Sequence, residues 1–416
     1  VDGPESSVEE IRIVEIWIVV ESGGPMATIK DLDVQKLTDS VMEQVITLQR
    51  NIHAHPEIGF DTVRTAGLIA DQLREAGIET REQIGKTGVV GDIVVPGSTR
   101  CIAFRADMDA LPMDEDSQLP HRSTIPGAAH MCGHDAHSAM LVGAARALSG
   151  IRDRLPCSVR FIFQPNEEAL PGGAPAMIAD GCLEGVDRIF GMHVWPLFDT
   201  GKIGIIDGPT MAQPDTFRIL VKGVGGHAAA PHACADPVLC GSQIINSAQH
   251  IVSRNIDPIR SSVLTFTQFH GGSADNVIPE TIELRGTIRS FEKEVGETAR
   301  RRLAEVAEAV ATAHQCSAQV EITEGYPVTF NDPEACEEVR RSVSAEVPLS
   351  DEGEPCLGGE DFAYYGEKIP AAFMFLGNRD AQKGIVYFCH HPRFQVDDEA
   401  MPVGVRSWIA LALGAG

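Results

Sequence analysis

Between Pro214 and Gly325 the apolar patterning prescribes an order of elements that few folds accept. Phe217–Val221 reads as a strand, Pro237–Arg254 as a helix, Ser262–Phe269 and Thr281–Ser290 as two strands, Glu292–His314 as a long helix and Ala318–Ile322 as a closing strand. Strands are read from β-branched and aromatic runs, helices from apolar residues at three- and four-residue steps. The resulting β-α-β-β-α-β order is the ferredoxin-like pattern.

On either side of that stretch, strands and helices alternate. Val34, Leu37, Val41, Val45 and Leu48 predict a helix over Asp33–Arg50, and a second runs from Thr62 to Glu75. Gly88–Val95, Cys101–Phe104, Ser158–Phe163, Ile189–Val194 and Ala371–Leu376 read as strands, with helices over Ser138–Leu148 and at the C-terminus. Such alternation predicts an α/β fold with a mainly parallel sheet. At 416 residues the chain exceeds what one core serves. We therefore expect one domain built from 26–213 and 326–416, with 214–325 inserted as an α+β module. Residues 1–25 read as a tag or misassigned leader ahead of Met26, or as an extra edge strand.

The 59 acidic against 34 basic residues, a net charge of −25, argue against nucleic acid as a partner. No apolar run reaches the roughly 18–20 residues of a membrane span, so no membrane partner is expected. Ten cysteines without a C-x-x-C pair suit free thiols in a reducing, cytoplasmic setting.

Polar clusters fall just beyond several predicted strands, where ligands gather in open α/β sheets. They are Arg105-Ala-Asp107-Met-Asp109, Cys132-Gly-His134-Asp135, Gln164-Pro-Asn-Glu167-Glu168, Gly191-Met-His193 and Cys389-His390-His391-Pro392. Each alone has a structural explanation: Asp135 as a helix cap, the glutamates as a solvated pair, His193 as a core histidine. Together they supply thiolate, imidazole and carboxylate, the donors that zinc-like ions use. Adjacent glutamates also permit a division of labour. One can hold a cation while its neighbour takes a proton from a water that the cation acidifies.

The segments "RADMDALPM", "MCGHDAH", "QPNEE", "GMHVWP", "GGHAAAPH", "DNVIP", "GTIRSF", "GGEDFAYY" and "HHPRF" occur in an order that resembles the N-acyl-amino-acid amidohydrolases. This is the hippurate hydrolase, aminoacylase and auxin-conjugate hydrolase branch of the dinuclear metallopeptidases, and the match runs from about Leu48 to Val405. The resemblance implies two divalent ions, zinc or manganese with cobalt or nickel as alternatives. It implies Cys132 as a bridging ligand, His134, Glu168, His193 and His390 as the others, and Glu167 as general base. Asp107 then orients a ligand, and Arg105 stands where related peptidases place a metal-binding histidine. His227 resembles a histidine that reaches an active site, in relatives often a partner subunit's, to stabilise the oxyanion. Asn276 and Arg289 resemble groups that hold the substrate carboxylate. His391 is the less favoured choice for the last ligand, and His130 and His137 are given no metal role. The inserted module is then a lid or dimerisation domain, and a homodimer or tetramer is expected.

The implied activity is metal-dependent hydrolysis of an N-acyl amino acid to a carboxylate and a free amino acid. A dipeptidase or carboxypeptidase of the same superfamily is the rival enzyme, and a metal-bound binding protein the rival outside catalysis.

Overall fold

A computed structural model describes residues 32–350 and 353–415; the expectations for residues 1–25 lie outside them. Four parallel strands form the centre of a seven-stranded sheet, in the spatial order Ser158–Gln164, Cys101–Asp107, Arg188–Asp199, Ala371–Arg379. Ile102, Ala103 and Phe104 are all fully buried, as expected of a parallel strand covered on both faces. Helices Val63–Glu75, His134–Ser149 and Ala400–Gly414 cover one face, where Trp408 packs 4.8 Å from the Phe104 ring. Successive side chains alternate across a strand, so Arg105 and Asp107 project from the face opposite Phe104.

The sheet is parallel only at its centre. Glu79–Ile84 and Gly88–Ile93 form an antiparallel hairpin at one edge, and the short strand Ile203–Gly204 runs antiparallel at the other. Gly85 and Lys86 take φ of 60° and 80°. That turn folds the chain straight back, whereas a parallel pairing needs a crossover of a dozen or more residues. The strand over 79–84, with its exposed and polar residues, carried too little apolar pattern to be read from the sequence.

Two helices also depart from expectation. The segment over 33–50 divides into Val34–Asp39 and Met42–His53. The hydroxyls of Thr38 and Ser40 donate to the carbonyls of Val34 and Leu37, and such local bonds compete with helix continuation. The helix expected from Ser138 starts at His134, directly after Gly133 with φ of 98°. Its Gly143 lets Met42–His53 approach closely, since a Cβ there would meet Val45 Cγ2 at 2.3 Å.

A second, four-stranded sheet is wholly antiparallel, in the order Ser262–Gly271, Thr281–Ser290, Gln213–Lys222, Ser317–Thr323. Helices Pro237–His250 and Lys293–Ala313 pack over it around a separate apolar core that includes Phe217, Ile219, Leu284 and Leu303. The element order is the one read from the sequence, with a π-turn over Ile251–Asn255 ending the first helix.

Candidate metal centre

The carboxyl ends of the central strands supply most of the site. Cys132 lies in the turn before helix His134–Ser149, and Glu167 and Glu168 follow strand Ser158–Gln164. His193 lies within strand Arg188–Asp199, 5% exposed. His390 comes from the far end of the chain. Its N–H donates to the Met131 carbonyl at 2.7 Å, its φ is 68°, and its side chain is 55% exposed.

Two groups of donor atoms result, and Cys132 belongs to both. Cys132, His134 and His193 bring one donor atom each to within 4.8 Å of one another, as do Cys132, Glu168 and His390. Cys132 Sγ is 3.3 Å from His193 Nε2, and His390 Nε2 is 3.3 Å from Glu168 Oε2. His193 Nδ1–H donates to the Val194 carbonyl at 2.7 Å, and His134 Nδ1–H to the Asp109 carbonyl at 2.9 Å. Both rings therefore present Nε2 to the centre. Burial, reinforced by His137, holds the His193 pKa well below the usual imidazole value, so the ring is neutral.

A cation fits these donors. His134 Nε2 and Glu168 Oε1 are buried without a hydrogen-bond partner, a costly condition that a bound cation relieves. Asp107, His134 and His137 also lie close together, but both nitrogens of His137 are engaged. Its Nδ1–H donates to Asp107 Oδ1 at 2.7 Å, and its Nε2 accepts from the Val194 N–H at 2.9 Å. His391 turns away to stack on Tyr387 with ring centroids 4.1 Å apart.

The structure gives three supporting residues their partners. Asp107 bonds to Arg105 and His137, while its Oδ2 stays 3.8 Å from His134 Nε2; the His134 ring is oriented by Asp109. Asp135 supports the helix start rather than capping it: it lies in the first helical turn and accepts from Gln49 Nε2 at 2.6 Å and His53 Nδ1 at 2.8 Å. Arg105, 1% exposed, reaches Asp107, Glu360 and Asp361 within 3.1 Å. Glu360 and Asp361 come from the "GGEDFAYY" segment, to which the sequence reading assigned no role.

Glu167 lies beside this network and lines the same cavity as Cys132, Glu168, His193 and His390. Burial, then the charges of Glu360 and Glu168, hold its carboxyl well above the usual carboxylate range. Burial likewise raises Glu360 to about 8, against the pull of Arg105. The cavity measures about 450 Å³, with Trp195, Met211, Tyr326 and Phe388 as apolar walls and Arg289 on its lining. A groove of about 730 Å³ lies at the opposite, amino ends of the strands, where Arg100 and Arg188 are ion-paired with Glu338.

Arg289 is the one expected carboxylate-holding residue found at the cavity. His227 lies on the small ladder Gly226–His227/Val277–Ile278 and Asn276 directly precedes its second strand, both exposed and neither on the lining. This chain's own fold does not bring them to the centre.

Clustered metal donors and a buried carboxylate at the strand ends are the parts that metal-assisted amide hydrolysis requires. Peptidase family M20/M25/M40 matches residues 103–414, and the chain belongs to that family. It is 38% identical over 386 residues to thermostable carboxypeptidase 1 of Saccharolobus solfataricus, covering 91% of this chain and 98% of that protein. It is 38% identical over 381 residues to N-acetyl-L-cysteine deacetylase of Bacillus subtilis, covering 91% and 90%. Among solved structures, the Bacillus subtilis YXEP protein, described as a dinuclear metal binding peptidase, superposes with a TM-score of 0.78 at 34% identity. That match covers 90% of this chain and 98% of that one.

Proposed function

We propose that the protein hydrolyses the amide bond of N-acyl amino acids, with two divalent cations held by Cys132, His134, His193, Glu168 and His390. The observation that carries this reading is the pair of donor groups sharing Cys132, with Glu167 and Arg289 on the same cavity. Bound cations supply Lewis acidity to the scissile carbonyl and lower the pKa of a water. Zinc or manganese suits the thiolate, imidazole and carboxylate set, and cobalt or nickel can enter such mixed sites.

Glu167 takes the proton of the attacking water and later returns one to the leaving nitrogen. Tyr326 steadies the glutamate by donating its hydroxyl to the Glu167 carbonyl at 2.6 Å. Arg289 receives the substrate's free carboxylate through its planar fork. The apolar walls hold the remainder of the substrate and exclude water.

His227 and Asn276 act, in this reading, from a second copy of the chain. Strand Ser262–Gly271 is an edge of its sheet, and Leu239, Phe269 and Val277 are exposed on the same module. An unpaired edge with apolar neighbours suits self-association, so we assign 214–325 as the dimerisation and lid domain, inserted between 26–213 and 326–416. The ten cysteines are all free, in keeping with a cytoplasmic setting. Among the described residues no helix is long and apolar enough to cross a membrane.

Glu167→Gln tests the mechanism: metal should be retained and turnover of hippurate and acetyl-amino acids nearly abolished. Wild-type rates in that variant would end the proposal. The carboxypeptidase reading is favoured by the likeness to the Saccharolobus protein. Comparing N-acyl amino acids with unblocked dipeptides and blocked peptides separates the two. A wild-type protein that binds metal and cleaves neither class would be a binding protein.

A further inference from the structure

We propose that Glu360 binds the nitrogen of the scissile bond, accepting its N–H in the amide substrate and again in the amino acid released. Glu360 is 1% exposed and lines the central cavity together with Glu167 and Arg289. Its Oε1 is committed to the protein, accepting the Phe362 N–H at 2.9 Å and lying 3.1 Å from Arg105 Nη2. The other acids around Arg105 are fully spent. Asp107 bonds to His137 and Arg105, and Asp361 to Arg105, Gln164 and the N–H groups of Gly173 and Ala174. Among the described residues no donor reaches Glu360 Oε2, yet that atom is not sealed from the cavity. It is an acceptor held ready on a fixed side chain.

The spacing suits one nitrogen. Glu167, Glu360 and Asp361 bring one carboxyl oxygen each to within 4.8 Å of one another. The Arg105 guanidinium already serves Asp361 at 2.7 Å, so the trio does not call for a further metal ion. Two hydrogen bonds of about 2.9 Å from one tetrahedral nitrogen separate their acceptors by about 4.7 Å. The leaving nitrogen can therefore take its new proton from Glu167 while its original N–H points to Glu360. A carboxyl oxygen accepts whether or not the group is ionised. Arg289 stands on the same loop, its Nη1 donating to the Leu357 carbonyl at 3.3 Å. Gly358 and Gly359, between Leu357 and Glu360, also line the cavity, and a Cβ on Gly359 would meet Pro214 Cγ at 2.5 Å. A short loop without side chains thus joins the carboxylate contact to the nitrogen contact. Together they select a leaving group that carries both, an amino acid.

The inference rests on the metal-dependent amidohydrolase reading. Glu360→Gln keeps the shape and the bond from Phe362 but turns an NH₂ towards the cavity. Glu360→Asp withdraws the carboxyl by one methylene. Both are made in the full chain, loaded with Zn²⁺ and compared with the wild type. Inhibition by phenylalanine, which carries the nitrogen, and by 3-phenylpropionate, which lacks it, is measured beside turnover of N-acetylphenylalanine. In both variants the phenylalanine Ki should rise about 10–100-fold, as for a lost hydrogen bond to a charged group, with a similar fall in kcat/KM. The 3-phenylpropionate Ki and the bound Zn²⁺ should stay within about twofold, because Arg289 and the donor groups are untouched. Equal rises for the two inhibitors overturn the inference, since Glu360 then acts through Arg105 on the whole cavity. An unchanged phenylalanine Ki, loss of Zn²⁺, or failure of both variants to fold overturns it as well. A wild type that loads Zn²⁺ yet cleaves neither N-acetylphenylalanine nor hippurate instead defeats the underlying reading.

Discussion

His53 Nδ1 donates to Asp135 Oδ2 at 2.8 Å, one position beyond His134, and so pins the start of the metal-site helix to helix Met42–His53. The other nitrogen, Nε2, faces Glu115 at 3.3 Å. Burial opposes charge on this imidazole, but Asp135 and Glu115 outweigh it and raise its pKa to about 10. Glu115 is correspondingly lowered to about 2, where His53, Ser117 and the Ser123 N–H overcome its burial.

These shifts set a pH window. A raised histidine contributes stability fully below its unfolded pKa of about 6.5, and that share is lost as pH climbs through about 10. A lowered glutamate contributes above its unfolded pKa of about 4.5, and that share is lost as pH falls towards 2. His53→Gln should cost about 3–5 kcal/mol at pH 6, since it strands a buried carboxylate. Urea unfolding at stepped pH checks this: the gap between wild type and variant should narrow above pH 7. A constant gap from pH 6 to 10 would contradict the assignment.

Arg105→Met should destabilise the fold by about 3–5 kcal/mol, because the buried carboxylates of Asp107 and Asp361 lose their shared counter-charge. Arg105→Lys keeps the charge without the fork and should fall between wild type and Met. Denaturant unfolding decides; a Met variant as stable as the wild type refutes the account.

Metal stoichiometry distinguishes shared from single ligands. Cys132 serves both donor groups, whereas His390 serves one. Under limiting metal, Cys132→Ala should therefore deplete both ions and His390→Ala mainly one. Elemental analysis after gel filtration reads the difference, and equal losses in the two variants would argue against a bridging thiolate.

Replacing Arg289 by Met should raise KM with little change in kcat. Loss of a charge-assisted pair, worth ~1.5–3 kcal/mol, corresponds to about a 10–100-fold rise. The effect should vanish for a substrate amide lacking the free carboxylate. An unchanged KM for N-acyl amino acids would move the carboxylate site elsewhere.

What the sequence determined by itself is local or periodic. Buried parallel strands are continuous apolar runs, so Ser158–Gln164 and Ala371–Arg379 were legible, as was the order of elements from Gln213 to Thr323. The donor types could also be read, because thiol, imidazole and carboxylate chemistry belongs to the residue. Only the tertiary structure decided which polar groups were spent on one another. Asp109 meets Glu167 across 58 residues and Arg105 meets Asp361 across 256, through a strand order that no local pattern encodes. The same folding satisfied both nitrogens of His137, turned Asp135 to His53, and left His227 and Asn276 exposed at a small ladder. A buried polar group must find a partner wherever the fold places one, and that pairing is settled only once the sheets have assembled.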